Sequence, residues 1–284
     1  MVLSIITINY NNFDGLKKTV ESVINQTWNE FEYIVIDGGS TDGSKEYIES
    51  QSSKINYWIS EKDSGIYNAM NKGIKVANGQ YLLFLNSGDD LIDNDILKTA
   101  NSKLVDKELV YFDINVIGEN AFYVKNCPDF LSFSYLFKET LPHQSTFIKK
   151  ELFDRVGYYD ESLKIVADWK FFIIALTKKE ATYKHVDAVL SNFYLDGLSS
   201  TNDFSQERRV VLELLFTEYL SDYDELFENR KKLSNMQDYM NSNRLKMLIE
   251  IEKTTFGRKF LSYLFRILIV FFSKKKVKEV LNTH

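Results

Sequence analysis

"LLFLNSGDDLI", residues 82–92, joins an apolar run from Tyr81 to Leu85 directly to Asn86, Ser87, Gly88, Asp89 and Asp90. So short an apolar run, closed by Gly and Asp, predicts a buried strand that ends by aiming two adjacent carboxylates at one place. Just upstream, Ile66, Ala69, Met70, Ile74 and Ala77 recur on one helical face, and Gly79 is placed to stop that helix. Further back, "LSIITIN" (3–9), "EYIVID" (32–37) and "INYWIS" (55–60) read as strands. Between them lie a helix carrying Leu16, Val20, Val23 and Ile24 and a short one at "SKEYIES" (44–50). Apolar strands alternating with helices predict an α/β fold with a mainly parallel sheet covered on both faces.

From about residue 108 the rhythm changes. "ELVYFDINVIG" and "AFYVK" read as consecutive strands, and "STFIKKELFDRVG" as a strand running into a helix. "DWKFFIIALTK" (168–178) is helical, and "ATYKHV" and "VLSNFYL" are two closing strands. Residues 1–203 are therefore expected to form one α/β domain and residues 204–284 a helical extension. Leu226, Leu233, Met240 and Met247 recur every seven residues, but Arg230, Gln237 and Arg244 interrupt the seam. A helix packed on the domain or on a second subunit fits this better than a coiled coil, so a homodimer through these helices is one expectation.

The chain has 284 residues, 44% hydrophobic and 14% aromatic, which suits a packed core and excludes wholesale disorder. A single cysteine, Cys127, excludes a disulfide framework and fits a reducing cytosol. Met1 leads directly into "VLSIITINY", so no cleavable signal is expected. The net charge of −5 hides an asymmetry: residues 255–284 hold seven Lys or Arg against one acid, Glu279, which makes that stretch +6 and the rest −11. A basic tail on an acidic body predicts an anionic surface as the tail's partner, and no nucleic acid is expected.

In open parallel sheets, ligands sit at the carboxyl ends of strands. Three polar clusters fall there: Asn9–Tyr10–Asn11, "DGGSTDGS" (37–44) and "NSGDD" (86–90). Two readings of the last remain open. Asp90 or Asp93 can cap a helix beginning near Ile92, which leaves Asp89 without a task. Alternatively, the paired carboxylates hold Mg2+ or Mn2+, which takes one or two carboxylates and otherwise phosphate and water. "DGGSTDGS" by itself is what any turn would use.

In their order, these pieces resemble the family 2 glycosyltransferases with the nucleotide-sugar-binding GT-A fold. The resemblance spans roughly residues 1–200 and is nearest to the enzymes of bacterial surface polysaccharides such as colanic acid, capsule and O-antigen. "SIITINYNN" is similar to that family's first strand, and the likeness implies that Thr7, Asn9 and Tyr10 contact the nucleotide sugar. "EYIVIDGGSTDGS" is similar to the strand ending in Asp-Asp-Gly-Ser-x-Asp, and of the adjacent acids only Asp37 is kept, so the likeness implies that Asp37 contacts the base of the nucleotide sugar. "DSGIYNAMNKGIKVANGQYLLFLNSGDD" matches the Gly-containing loop, the Ala-x-Asn-x-Gly helix and the metal motif. It implies donor contacts from Asp63, Asn86 and Ser87. The metal motif usually opens with Asp; here that place is Asn86, so Asp89, and after it Asp90, are the implied ligands of Mg2+ or Mn2+. Met70 stands where an Arg is often found, so a diphosphate-binding cation must come from elsewhere.

Sugar transfer from a nucleoside diphosphate needs charge neutralised on the leaving group and a proton taken from the acceptor hydroxyl. Asp168, an acid set among Ile165, Val166, Ala167, Trp169 and Phe171, is the base candidate, because a carboxylate in such company is costly without a purpose. It also opens a helix, and a cap there can still face a cleft. The resemblance places the family's base here, implies inversion, and marks His143, Gln144, Trp169 and Ser199 as acceptor-side. Two other functions stay in competition. One is a non-catalytic nucleotide-sugar-binding scaffold. The other is a sugar nucleotidyltransferase, which needs a Gly-rich, basic loop where this chain has "NYNNFDGLKK".

In the tail, the apolar core Phe260–Phe272 is 13 residues, about 20 Å as a helix against a hydrocarbon layer of roughly 30 Å. A helix lying in the membrane interface fits its length and charge, and a core or subunit-contact helix is the alternative. With the family, this implies a cytoplasmic enzyme held peripherally on the inner membrane face, acting on a polyprenyl-diphosphate-linked saccharide.

Overall fold

The computed structural model describes residues 2–104, 106–195 and 204–271. They fall in two compact units, Met1–Val211 and Leu212–His284. The first unit opens with β1 (Leu3–Asn9), α1 (Phe13–Ile24), β2 (Phe31–Asp37), α2 (Ser44–Ser50), β3 (Tyr57–Ser60), α3 (Ile66–Val76) and β4 (Tyr81–Phe84). There follow β5 (Asp90–Leu91), α4 (Ile96–Asn101), β6 (Leu109–Gly118), β7 (Ala121–Lys125) and α5 (Phe133–Lys138). A 3-10 turn (His143–Ser145), β8 (Thr146–Lys149), α6 (Lys150–Val156), α7 (Ala167–Thr177) and β9 (Tyr183–Tyr194) complete the sheet and its cover.

One sheet runs in the order β3-β2-β1-β4-β8-β6-β9-β5, with β7 paired to β6. The pairs β3–β2, β2–β1, β1–β4 and β6–β9 are parallel, and the pairs through β8, β7 and β5 are antiparallel. The α/β fold with its GT-A-like sheet is thus present. Every residue of β1 is buried, and its alternation divides the core in two. Ile6 and Ile8 join Ile34, Ile36, Leu82 and Phe84 under Met70 and Ile74 of α3 and Phe171 and Phe172 of α7. Leu3 and Ile5 join Tyr33, Val35 and Leu83 under Leu16 and Val20 of α1 and Ile48 of α2. Each such side chain contributes about 1.5–3 kcal/mol on burial, so a strand buried on both faces reads as an unbroken apolar run.

Three local expectations are corrected. Helix α3 ends at Val76, where Ala77 turns extended, rather than at Gly79. A Cβ on Gly79 would lie 2.4 Å from the Ser4 nitrogen, so glycine is there for close passage against β1. The two closing strands are one, β9, whose register with β6 shifts around Asp113. Helix α4 begins at Ile96 instead of near Ile92, because Asp90 and Leu91 pair with Asn192 and Ser191 of β9.

The remaining helices are α8 (Ser205–Asn241), α9 (Asn243–Glu252) and α10 (Thr255–Phe271). Helix α8 leaves helical geometry at Phe216 (φ −140°, ψ 26°), and Ser242 caps α9 by accepting from the Leu245 N–H at 3.3 Å. The heptad residues Leu226, Leu233, Met240 and Met247 are exposed. Among the described residues no helix is long and apolar enough to cross a membrane. The basic run 274–278 lies outside the described residues, as does Ser199.

Candidate active site

Parallel pairing brings the carboxyl ends of β1 and β2 level, Asn9 against Asp37, and the Ser87 N–H donates to the Ile8 carbonyl at 3.0 Å. A cleft of about 1200 Å³ opens at this edge, with Asn9, Tyr10, Asp63, Asn86, Ser87 and Asp89 on one side and His143, Gln144, Asp168 and Trp169 further along. Most of the residues expected at the site therefore do converge.

Three do not reach the cleft wall: Thr7, Asp37 and Asp90. Thr7 is buried, donating to the Leu85 carbonyl at 2.8 Å and sharing a hydrogen bond with the Tyr33 hydroxyl. Asp37 is fully buried, and its carboxylate organises the "DGGS" turn. It accepts from the Ser40 N–H (2.9 Å), the Ser40 and Ser60 hydroxyls (both 2.6 Å) and the Asn9 amide (2.8 Å). Burial opposes its charge, and these donors outweigh burial to hold its pKa below the ordinary carboxylate value. What the turn offers the cleft is backbone. A Cβ on Gly38 would stand 3.1 Å from both Asp63 Oδ2 and the Tyr10 ring.

The adjacent acids of "NSGDD" part company. The Asp89 side chain is buried at the cleft, its loop pinned from behind by Thr19, whose hydroxyl donates to the Asp89 carbonyl at 2.6 Å. That hydroxyl also accepts from the Gly88 N–H at 3.0 Å. Gly88 has φ +113°, a conformation that favours glycine and lets the chain reverse between Ser87 and Asp89. Asp90 turns away: its Oδ2 accepts from the Asn192 amide at 2.9 Å, and Lys18 stands 3.9 Å from its Oδ1. The structure thus does not bring Asp90 to the cleft with Asp89, because β5 begins at Asp90, whose pairing with Asn192 of β9 draws it into the sheet while Asp89 stays in the loop.

Among the described residues no three His, Cys, Asp or Glu gather as a ready-made metal cage. At the β4 loop the cleft offers the Asp89 carboxylate and Oδ1 of Asn86, a buried oxygen without a hydrogen-bond partner. Hard oxygens in that number suit Mg2+ or Mn2+, which draws the rest of its shell from phosphate and water.

Asp168 sits in the first turn of α7 and is 8% exposed. Its Oδ2 lies 3.2 Å from His143 Nδ1, and its Oδ1 accepts from the Tyr67 hydroxyl at 2.9 Å. That hydroxyl also contacts the Ile165 carbonyl. His143 Nε2 in turn meets the Asn86 amide nitrogen at 3.1 Å, so one chain of contacts runs from the β4 loop to α7. Burial raises the cost of charge on Asp168, but His143 and Tyr67 prevail and its pKa lies below the ordinary value. His143 is shifted the other way: burial disfavours its cation, and Asp168, with Asp89 behind it, more than compensates. Trp169, beside Asp168, is fixed by its indole N–H donating to the Leu136 carbonyl at 2.6 Å.

Two residues of the cleft were not foreseen. Tyr67 shares the buried face of α3 with Met70 and Ile74, so helical spacing marks it as core and gives no sign that its hydroxyl reaches Asp168. Arg208 stands with its guanidinium 4.9 Å from the Trp169 ring and its Nε buried without a partner. Nothing local marks it, since Arg208 reaches Trp169 only in the folded chain.

Glycosyl transferase family 2 matches residues 4–154. An uncharacterized glycosyltransferase of Mycobacterium tuberculosis is 36% identical over 206 residues, which is 70% of this chain and 77% of that one. A PGL/p-HBAD biosynthesis glycosyltransferase of Mycobacterium bovis is 30% identical over 212 residues, 70% of this chain and 80% of its own. Among solved structures, S. aureus TarS in complex with UDP-GlcNAc has a TM-score of 0.60 at 20% identity, covering 78% of this chain and 67% of that one. A mannosyltransferase from Pyrobaculum calidifontis in complex with GDP-Man and Mn2+ has a TM-score of 0.53 at 15% identity, covering 70% and 58%. At those identities the two structures speak for the fold alone.

Proposed function

Because the chain belongs to glycosyl transferase family 2 and is a glycosyltransferase, we propose that it transfers a sugar with inversion from a nucleoside-diphosphate donor to a lipid-linked saccharide of bacterial surface-polysaccharide assembly. A UDP-sugar is the first donor to try, in keeping with the UDP-GlcNAc bound to TarS; GDP-Man, bound to the Pyrobaculum calidifontis mannosyltransferase, is the second. The observation that carries the reading is Asp168: a buried carboxylate, held charged by His143 and Tyr67, facing the same cleft as Asp89.

In this reading Asn9, Tyr10, Asp63 and Ser87 form the donor side, and the acceptor enters past His143, Gln144 and Trp169. Asp168 takes the proton of the attacking hydroxyl through whichever oxygen the acceptor reaches. Tyr67 and His143 keep its carboxylate aligned, and alignment of this kind carries much of an enzyme's advantage. Displacement from the face opposite the departing diphosphate gives inversion in one step. Asp89, with the Asn86 amide oxygen, would hold Mg2+ or Mn2+, which supplies Lewis-acid neutralisation of the leaving diphosphate. Arg208 brings the cleft the cation that Met70 does not.

Support for a membrane-carried acceptor comes from α10, which exposes Phe256, Phe260, Tyr263 and Phe265 along with Arg258, Lys259 and Arg266. Aromatics and cations together suit a helix lying in an anionic lipid interface.

Binding of UDP, GDP and dTDP with and without Mn2+, to wild type and to Asp89→Ala, tests the donor side. Metal-dependent binding of one nucleotide, lost in Asp89→Ala and kept in Asp90→Ala, is the expected result. A folded protein that binds none of the three with or without metal would sink the donor-side reading and favour a scaffold.

A further inference from the structure

The base helix α7 has no cap of its own. Its N-cap residue, Val166, offers no side-chain acceptor, and the amides of the turn leading into the helix, residues 164–166, find their partner elsewhere in the chain. That partner is Glu207, in the first turn of α8, some forty residues on in the chain. Its carboxylate accepts from the N–H groups of Lys164 at 2.7 Å, Ile165 at 3.0 Å and Val166 at 3.2 Å. Arg208, next to it, donates to the Lys138 carbonyl at 2.6 Å and lies over the ring of Trp169. The two residues therefore hold the chain on both sides of Asp168, the turn before it and the ring after it.

We propose that Glu207 is a positioning residue for the Asp168 carboxylate, so that the first turn of α8 belongs to the catalytic machinery. This rests on the reading of Asp168 as the base. The link is short: the Ile165 amide is tied to Glu207, and the Ile165 carbonyl and Asp168 Oδ1 share the single proton of the Tyr67 hydroxyl, so that carbonyl helps set where the hydroxyl sits. Releasing residues 164–166 frees Ile165, and with it one of the two groups that aim the carboxylate. A carboxylate accepting several backbone N–H groups at a helix entrance is a strong, charge-assisted arrangement. A misplacement of about 1 Å at a reacting group costs on the order of 100-fold in rate. The family match ends at residue 154, so this contribution comes from chain that the match does not cover.

The test compares full-length wild type with Glu207→Ala and Glu207→Gln by backbone amide exchange and by steady-state transfer, well below each protein's unfolding midpoint. Expected in Glu207→Ala are faster exchange at residues 164–168, unchanged exchange at 86–90, and kcat lower by about 10- to 100-fold. Donor KM and Mn2+-dependent nucleotide binding stay as in wild type, and Glu207→Gln, which keeps one acceptor oxygen, falls between. Unchanged exchange at 164–168 overturns the proposal, and so does faster exchange with kcat intact. A loss shared by kcat and nucleotide binding also overturns it, since that is the mark of a general loosening. Should Glu207→Ala not fold, Glu207→Asp, with its carboxylate drawn back by one methylene, is read the same way. A wild type that transfers from no nucleotide sugar fails the base assignment itself, and the proposal falls with it.

Discussion

Among the described residues, two histidines each stand against aspartate, and His143 lines the cleft while His185 does not. His143 lies between Asp168 and Asn86. His185 lies between two carboxylates, 2.9 Å from Asp113 and 2.8 Å from Asp129, and stacks on Tyr111 with ring centroids 5.3 Å apart. Burial disfavours the cation of both rings, and in both the carboxylates win and raise the pKa. The electrostatics are alike, so the difference is one of place. Asp113 spends its carboxylate on structure, accepting also the Cys127 N–H at 2.7 Å and so pinning the loop after β7 to β6. Asp168 is held by side chains from two other segments with an edge left toward the cleft. A histidine–aspartate pair is therefore no sign of catalysis until the fold shows what else the aspartate must hold.

The sharpest way to break that distinction is at the two pairs themselves. Asp168→Asn should lower transfer by about 1000-fold while Mn2+-dependent nucleotide binding persists; turnover near wild type would remove Asp168 as base. Tyr67→Phe deletes one hydrogen bond to a charged group and should cost about 10-fold in kcat, measurable by the same assay with nucleotide affinity unchanged.

His143→Ala acts on pH dependence more than on the plateau. His143 is one of the groups that pull the pKa of Asp168 down against burial, so without it that pKa rises. The acid limb of kcat/KM should move to higher pH in the variant, and a limb that stays in place would show that His143 does not tune the base.

The smallest effect is expected at the second pair. A histidine with a raised folded-state pKa stabilises the fold fully below its unfolded pKa of about 6.5, and the gain is lost as pH rises through the higher folded value. Urea unfolding of His185→Gln should thus show a deficit of about 1 kcal/mol at pH 5.5, modest because the Asp129 partner is solvent-exposed. The deficit should shrink by pH 9, with transfer unaffected at either pH. A deficit that grows with pH would reverse the assignment.

Much of the fold is legible along the chain for a simple reason. Strands β1, β2 and β4 are buried on both faces, so each announces itself as an unbroken apolar run, and α1 and α3 bury one stripe at helical spacing. The second half of the sheet is harder to read. β9 is partly exposed along most of its length and shifts register against β6, which is why it looks like two strands. Gly79 shows the same limit in one residue: a helix stop and a close passage against a neighbouring strand both ask for glycine, and only the 2.4 Å approach to Ser4 tells them apart.

The sequence by itself determined the alternation of elements, the ordered strand-end clusters and the candidacy of Asp89 and Asp168, because each of these depends on neighbours close in the chain. Tertiary structure alone decided which acid of "NSGDD" faces the cleft, since β5 pairing with β9 draws Asp90 to Asn192. It alone buried Asp37 within the turn that its carboxylate ties together, and joined Tyr67, His143, Asp168 and Glu207, which come from four separate segments. Hydrogen bonds between groups so far apart in the chain have no periodicity and no local propensity. They exist only once the chain has folded.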